Sequence, residues 1–307
     1  MKKKILITGA EGFLGTHLTN FYRKKNYQVF CTFKKKPKFI QKKVKYFNCD
    51  VRNNNKLNNI LFNVKPDIIF HLAAKSHPLF SFRFPAKTIL INTMGTINIL
   101  QNVLELKLKS KIIIACSSAQ YGTRNFKELP LNEKNGFRPD HIYGMSKLFQ
   151  NLIGDQYFKM FGLKICNAII FNTSGPGKLN DVFYDFSKQF LTQNKTKKII
   201  KINCGNILNK RDFLHYSDTV NALDIISKKG KSGQTYNIST GKLVSVKSLL
   251  DHILLKSKKK IEIIQKKKNL RIYDEKYISG NNSKLKKIGW TPKKNYRDIL
   301  DEMCKFI

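Results

Sequence analysis

The chain has 307 residues, 41% of them hydrophobic and 25% charged, which gives room for one large α/β domain or a core domain with a smaller lobe and excludes disordered, fibrous and collagen-like classes. Charge is the anomaly: 58 Lys and Arg against 20 Asp and Glu give a formal net charge of +38, a balance suited to nucleic acid, anionic lipid or acidic substrates. Only eight of the basic residues are arginine and the lysines are spread from Lys2 to Lys305, so the charge reads as a compositional bias on a solvated surface and nucleic acid is not an expected partner.

Apolar segments of strand length alternate with longer segments of helical period. The pattern predicts strands at Lys4–Thr8, Gln28–Phe33, Ile68–Leu72 and Lys111–Cys116, and helices over Leu14–Lys25, Lys56–Val64 and Thr88–Leu106. Near-continuous apolar runs such as Ile68-Ile69-Phe70 and Ile112-Ile113-Ile114 suit a parallel sheet buried on both faces, so the predicted class is α/β, a Rossmann-like doubly wound parallel sheet with a smaller C-terminal lobe. A helix around Ser146–Phe161 and a strand at Leu163–Ile170 continue the series, and regularity fades after Asn172. Residues 1–171 are expected to be mainly this Rossmann-like domain. Residues 172–307 are expected to be mainly a substrate-binding lobe, interwoven with the first by a strand returning near 205–240, since no Pro/Gly/Ser-rich linker separates them.

Cysteines 31, 49, 116, 166, 204 and 304 form no CxxC pair and no zinc-type spacing, so they are expected to be reduced core residues with no metal. No apolar run approaches the roughly 18 residues of a membrane span, and Lys2-Lys3-Lys4 leads straight into Ile5-Leu6-Ile7, too short for a signal segment. The expected compartment is the cytoplasm.

Chemistry begins at the first turn. Gly9, Gly12 and Gly15 follow strand Ile5-Leu6-Ile7 and precede a helix, an arrangement that lets backbone N–H groups and a helix N-terminus cradle a pyrophosphate. The second strand ends Phe33-Lys34-Lys35-Lys36 with no carboxylate of its own, which favours NADP over NAD because a cation suits a 2′-phosphate. Asp50, after Tyr46-Phe47-Asn48-Cys49, is placed to reach the adenine edge. Tyr143 and Lys147 are four apart at the start of a helical segment and share a face, where an ammonium would lower the phenol pKa and make Tyr143 an acid or base. Ser117-Ser118 follow a buried strand, and a hydroxyl there can hold a substrate carbonyl beside Tyr143. His71 reads as a packed strand-end histidine, Asn92 as a sheet brace, Trp290 as packing for the smaller lobe, and Arg211 as either an anion ligand or a surface partner of Asp212.

Taken with His71-Leu72-Ala73-Ala74, Asn92 with Gly95-Thr96, Asn172 with Gly175-Pro176-Gly177, Arg211-Asp212-Phe213, Asp218, Tyr236-Asn237 and Gly289-Trp290, these motifs make the chain resemble the extended short-chain dehydrogenase/reductases, the NAD-dependent epimerase/dehydratase family that acts on nucleotide sugars. Within it, the GDP-4-dehydro-6-deoxy-mannose reductases share the His71–Ser76, Asn172–Gly177 and Arg211–Phe213 stretches. The resemblance implies a catalytic set of Ser117, Tyr143 and Lys147. It also implies cofactor contacts along Gly9, Gly12, Phe13, Leu14, Gly15, Lys34, Asp50, Val51, Leu72, Ala73, Ala74, Asn92, Tyr143 and Lys147, and substrate contacts from Ser118, Asn172, Arg211 and Arg271. Dehydratases of the family carry an acid two positions before the tyrosine of the serine motif, and Ala119 stands there, so dehydration is disfavoured.

The reading is an NADPH-dependent reduction of a 4-keto-6-deoxy nucleotide sugar, in deoxysugar or surface polysaccharide biosynthesis, by a homodimer. The enzymatic alternative is a nucleotide-sugar 4-epimerase with tightly bound NAD. A non-catalytic dinucleotide-binding regulator is the alternative from another class, and the intact Ser117, Tyr143 and Lys147 argue against it.

Overall fold

In a computed structural model that describes every residue except Met1, Lys38, Phe39, Asn180, Lys195, Lys197, Lys258 and 266–274, the chain alternates strands and helices. It runs through β1 (Lys4–Thr8), α1 (Phe13–Arg23), β2 (Gln28–Phe33), β3 (Val44–Asn48), α2 (Asn54–Val64), β4 (Ile68–His71), a short α3 (Pro78–Arg83), α4 (Pro85–Glu105), β5 (Lys111–Ser117), α5 (Ile142–Phe161) and β6 (Ile165–Ile170). There follow β7 (Asn172–Ser174), α6 (Val182–Asn194), β8 (Ile199–Cys204), β9 (Lys210–Arg211), β10 (Phe213–His215), α7 (Tyr216–Lys229) and β11 (Gln234–Ile238). The last elements are β12 (Val244–Ser245), α8 (Val246–Lys256), β13 (Lys260–Gln265), β14 (Tyr277–Ile278), α9 (Ser283–Lys287) and α10 (Tyr296–Phe306).

Seven strands form one sheet in the order β11-β6-β5-β4-β1-β2-β3, every neighbouring pair parallel. The strand order reverses between β1 and β4, and a crevice at the carboxyl ends of those strands is where an open α/β sheet binds its ligand. Both faces are covered, which is why β1 and β5 read as unbroken apolar runs. On one face α1 and α7 bring Leu18, Tyr22, Val220, Leu223 and Ile226 onto Ile5, Ile7 and Phe70. On the other, α2 and α4 bring Leu57, Leu61, Ile99 and Val103 onto Leu6, Ile69 and Ile112. Trp290 lies in the first of these cores and donates its indole N–H to Asp218 O at 3.1 Å, so it packs the main sheet and not the smaller lobe.

A third core, built on Phe183, Phe186, Ile202, Leu250 and Leu300, lies among α6, α8, α10 and the β8–β13 pair. The chain reaches it after β7 and leaves it through β10 and α7 to lay β11 against β6. Among the described residues no helix is long and apolar enough to cross a membrane.

Candidate active site

A cleft of about 1670 Å³ opens over the β1–β4 switch point and runs from the first glycine turn to α6 and β8. Its volume exceeds the roughly 300–1,000 Å³ that holds one small ligand, leaving room for two. Gly9 turns at φ +69°, and a Cβ there would lie 2.7 Å from Ala73 Cα; a Cβ on Gly15 would lie 2.2 Å from Gly9 O. Only glycine lets the turn, the end of β4 and α1 meet this closely. No side chain caps α1 at Gly12, so its first-turn N–H groups and positive dipole end remain for an anion. Phe13, Leu14, Leu72, Ala73 and Ala74 line the same stretch of the cleft, and the cradle fits a dinucleotide pyrophosphate.

Beyond the cradle lies a charged corner. Asp50 takes a bidentate bond from Arg52 (Nε to Oδ1 3.1 Å, Nη2 to Oδ2 2.7 Å) and an ion pair from Lys34 Nζ at 2.7 Å. Arg52, then Lys34, hold its carboxyl well below the usual carboxylate range. Asp50 is thus an organiser of cations as well as a lining residue beside Val51. Lys75 also lines this end, and its pKa is lowered by burial and by Lys34, Lys35 and Lys87. One correction concerns the acid at the end of β2. Although that strand ends without a carboxylate, Glu11 of the glycine turn supplies one, accepting the backbone N–H of Lys34 at 2.9 Å, with its second oxygen buried and unpartnered.

The catalytic candidates converge on the cleft floor. Ser117 ends β5, Tyr143 stands in the first turn of α5 near enough for the Ser117 hydroxyl to favour its phenolate, and Lys147 follows one turn later, both α5 side chains buried. The ammonium donates to Ala115 O (2.8 Å) and Gln150 Oε1 (2.7 Å), and burial lowers its pKa to about 8. Tyr143 departs from expectation. Burial pushes its phenol up to about 12 against the opposing effect of the Ser117 hydroxyl, since the ammonium that was to lower it is turned toward Ala115 and Gln150. His71 is a packed residue, its ring nitrogens on Thr8 Oγ1 (2.9 Å) and Thr96 Oγ1 (3.1 Å).

Asn92 does not face the cleft. Its amide accepts Lys75 N–H at 2.7 Å and donates to Lys75 O and Ser146 Oγ, so it braces the loop after β4 against α5 rather than the sheet. His141 had no part in the sequence reading and lines the cleft two residues before Tyr143, where its Nδ1 accepts Gly144 N–H at 3.0 Å and caps α5. A histidine is an unusual N-cap, which hid the cap.

On the opposite wall stand Ser118, Asn172 and Arg211, and Asn172 Nδ2 is a buried donor without a partner. Asp212 spends its carboxylate on Thr240 N–H and hydroxyl and on the N–H of Gly241 and Gly280, burial lifting its pKa to about 6, so it organises a turn. Arg271 lies outside the described residues. Lys178 and Asp181 join this wall, Asp181 accepting from Ser174 and from Tyr184 N–H at the start of α6.

The family description GDP-mannose 4,6 dehydratase matches residues 6–303. A GDP-6-deoxy-D-mannose reductase of Pseudomonas aeruginosa is 25% identical over 98% of this chain and 97% of its own length. In three dimensions the chain superposes on RMD from P. aeruginosa complexed with NADPH with a TM-score of 0.86 at 23% identity, covering 100% of this chain and 97% of that one. It superposes on the UDP-glucose 4-epimerase of Thermotoga maritima with UDP-glucose with a TM-score of 0.88 at 24% identity, covering 99% and 98%. Both superpositions establish the Rossmann-like fold. With the match spanning nearly its whole length, the chain belongs to the GDP-mannose 4,6-dehydratase family, whose members are NAD(P)-dependent nucleotide-sugar dehydratases, reductases and epimerases.

Proposed function

We propose that the chain is a 4-ketoreductase that uses NADPH, and NADH less well, on a nucleotide sugar of the GDP-4-dehydro-6-deoxy-mannose type. The observation that carries this reading is the convergence of Ser117, Tyr143 and a buried Lys147 in one cleft, with Ala119 in the turn where a dehydrating enzyme needs an acid. Bound NAD(P)H supplies the hydride. Ser117 orients the carbonyl oxygen, and Tyr143, a neutral phenol at pH 7, donates its proton to the oxygen as negative charge develops there. Lys147 then stabilises the tyrosinate.

Residues 1–171 carry mainly the cofactor and 172–307 mainly the sugar nucleotide. Lys34, Lys35 and Lys75 favour a 2′-phosphate, while Asn172 Nδ2 and Arg211 offer donors to the substrate diphosphate. The assembly is a homodimer through α4 and α5, whose outer faces expose Leu90, Met94, Met145, Phe149 and Leu152.

The test is a panel of 4-keto and 4-hydroxy nucleotide sugars with NADPH and NADH, with product identification. Stoichiometric NADPH consumption on a 4-keto substrate supports the reading. The Glu11 carboxylate at the end of β2 favours one competing outcome, a 4-epimerase holding NAD, which would interconvert 4-hydroxy sugars with no net absorbance change.

A further inference from the structure

We propose that Gln150 is a positioning residue for Lys147, anchoring the ammonium through Thr96, His71 and Thr8 to the backbone that closes over the first glycine turn. The proposal rests on the reading of Lys147 as a catalytic residue. Lys147 Nζ donates to Gln150 Oε1 at 2.7 Å, and Gln150 Nε2 donates to Thr96 Oγ1 at 2.6 Å. The Thr96 hydroxyl proton goes to Asn92 O at 2.8 Å, so its oxygen also accepts His71 Nε2–H at 3.1 Å. His71 Nδ1 is left to accept the Thr8 hydroxyl at 2.9 Å, and Thr8 Oγ1 accepts the N–H of Ala73 at 3.2 Å. Ala73 is the residue against which Gly9 packs.

All five side chains are buried, and one assignment of donors and acceptors satisfies them. Burial and the Lys147 charge hold His71 neutral, its pKa pushed down to about 3, so the relay keeps one proton arrangement across the working pH range. The titratable groups that feel the ammonium charge are His71 on β4 and Cys116 on β5; burial pushes the Cys116 thiol up to about 12. Two of the three ammonium protons are committed to Ala115 O and Gln150, which fixes where the third points. Gln150 accepts from the ammonium and donates to Thr96 at once, and a leucine at this position can do neither.

Two variants move the site in opposite directions. Gln150→Leu leaves the ammonium one acceptor fewer, so Lys147 loses its proton at lower pH. The alkaline limb of the pH–kcat profile should move down by about one unit, with kcat lowered about 10–100-fold. Gln150→Glu places a carboxylate on the ammonium, and Thr96 rotates its hydroxyl to meet the second oxygen, so the limb should move up.

The apoprotein gives an independent reading. A buried lysine whose folded pKa lies below its unfolded value makes stability rise with pH between the two, and that rise in Tm should steepen in the Leu variant and flatten in the Glu variant. Opposite shifts support the proposal, and unmoved or parallel limbs overturn it. If the Leu variant fails to fold, the Glu variant alone decides by the direction of its limb and of its Tm slope. Lys147→Met separates the two claims: if it keeps wild-type turnover, the catalytic reading falls, whereas if it is inactive while the Gln150 variants leave the limb unmoved, only this proposal falls.

Discussion

The chemistry of this cleft is decided by a few side chains whose environment differs from what their types suggest. Tyr143 is held as a phenol by burial and lined up by Ser117, so removing its hydroxyl should remove the proton and little else. Tyr143→Phe is expected to bind NADPH with unchanged Kd and to lose about 10²–10⁴-fold in turnover; full turnover in a folded variant would transfer the proton donor elsewhere. At the far end, Glu11 sets a negative charge beside Lys34, on the side of the cleft proposed for the 2′-phosphate. Glu11→Gln keeps the acceptor for Lys34 N–H and deletes the charge. It should tighten NADPH about two- to fivefold, the scale of a partly solvated charge pair, with NADH unchanged. A selective loss of NADH instead would make the carboxylate a ribose ligand and overturn the repulsion argument. Glu11 was legible only in outline. An acid inside a glycine turn is visible in the sequence, but its reach to the end of β2 depends on the turn geometry at Gly9 and Gly12.

Elements were legible where burial is two-sided. Lys4–Thr8 and Gln28–Phe33 coincide with β1 and β2 because both faces of those strands are covered and their apolar runs have sharp ends. β3 escaped because it is an edge strand in which Lys45 and Asn48 interrupt the apolar residues. The second half was read poorly for a similar reason, since β7, β9, β10, β12 and β14 span two or three residues each and carry no period. α5 begins at Ile142, four residues before the predicted Ser146, and the difference is the His141 cap. That cap places Tyr143 in a first turn. His141→Ala should cost about 0.5–2 kcal/mol of stability and His141→Asn should recover most of it. Burial lowers the His141 pKa below 6.5, so the folded state resists its protonation and stability falls as pH drops below 6.5. Melting curves of wild type and His141→Asn should therefore diverge at neutral pH least and at pH 5 most; parallel curves would take His141 out of the acid response.

At the scale of the whole molecule, the proposed homodimer sets apolar attraction on one surface against repulsion everywhere else. Leu90 and Met94 lie four residues apart on α4, and Met145, Phe149 and Leu152 repeat at helical spacing on α5, a stripe that a monomer would leave in water. Burying it between two copies gains roughly 25 cal/mol per Å² of apolar surface. Each copy also brings a formal charge of +38, carried by lysines that run the length of the chain, and two such bodies repel over the Debye length of about 8–10 Å at physiological salt and about 30 Å at 0.01 M. Apolar contact is short-ranged and insensitive to salt, while the repulsion is screened, so the dimer should tighten as salt rises, the reverse of an association held by ion pairs. Sedimentation at 0.01, 0.15 and 0.5 M salt should show the dimer fraction increasing in that order. Leu152→Lys, which adds charge in the middle of the stripe and lies outside the cleft, should give a folded monomer at every salt concentration. A wild type that is monomeric throughout, or one that dissociates as salt is added, would remove the α4–α5 face as the site of assembly.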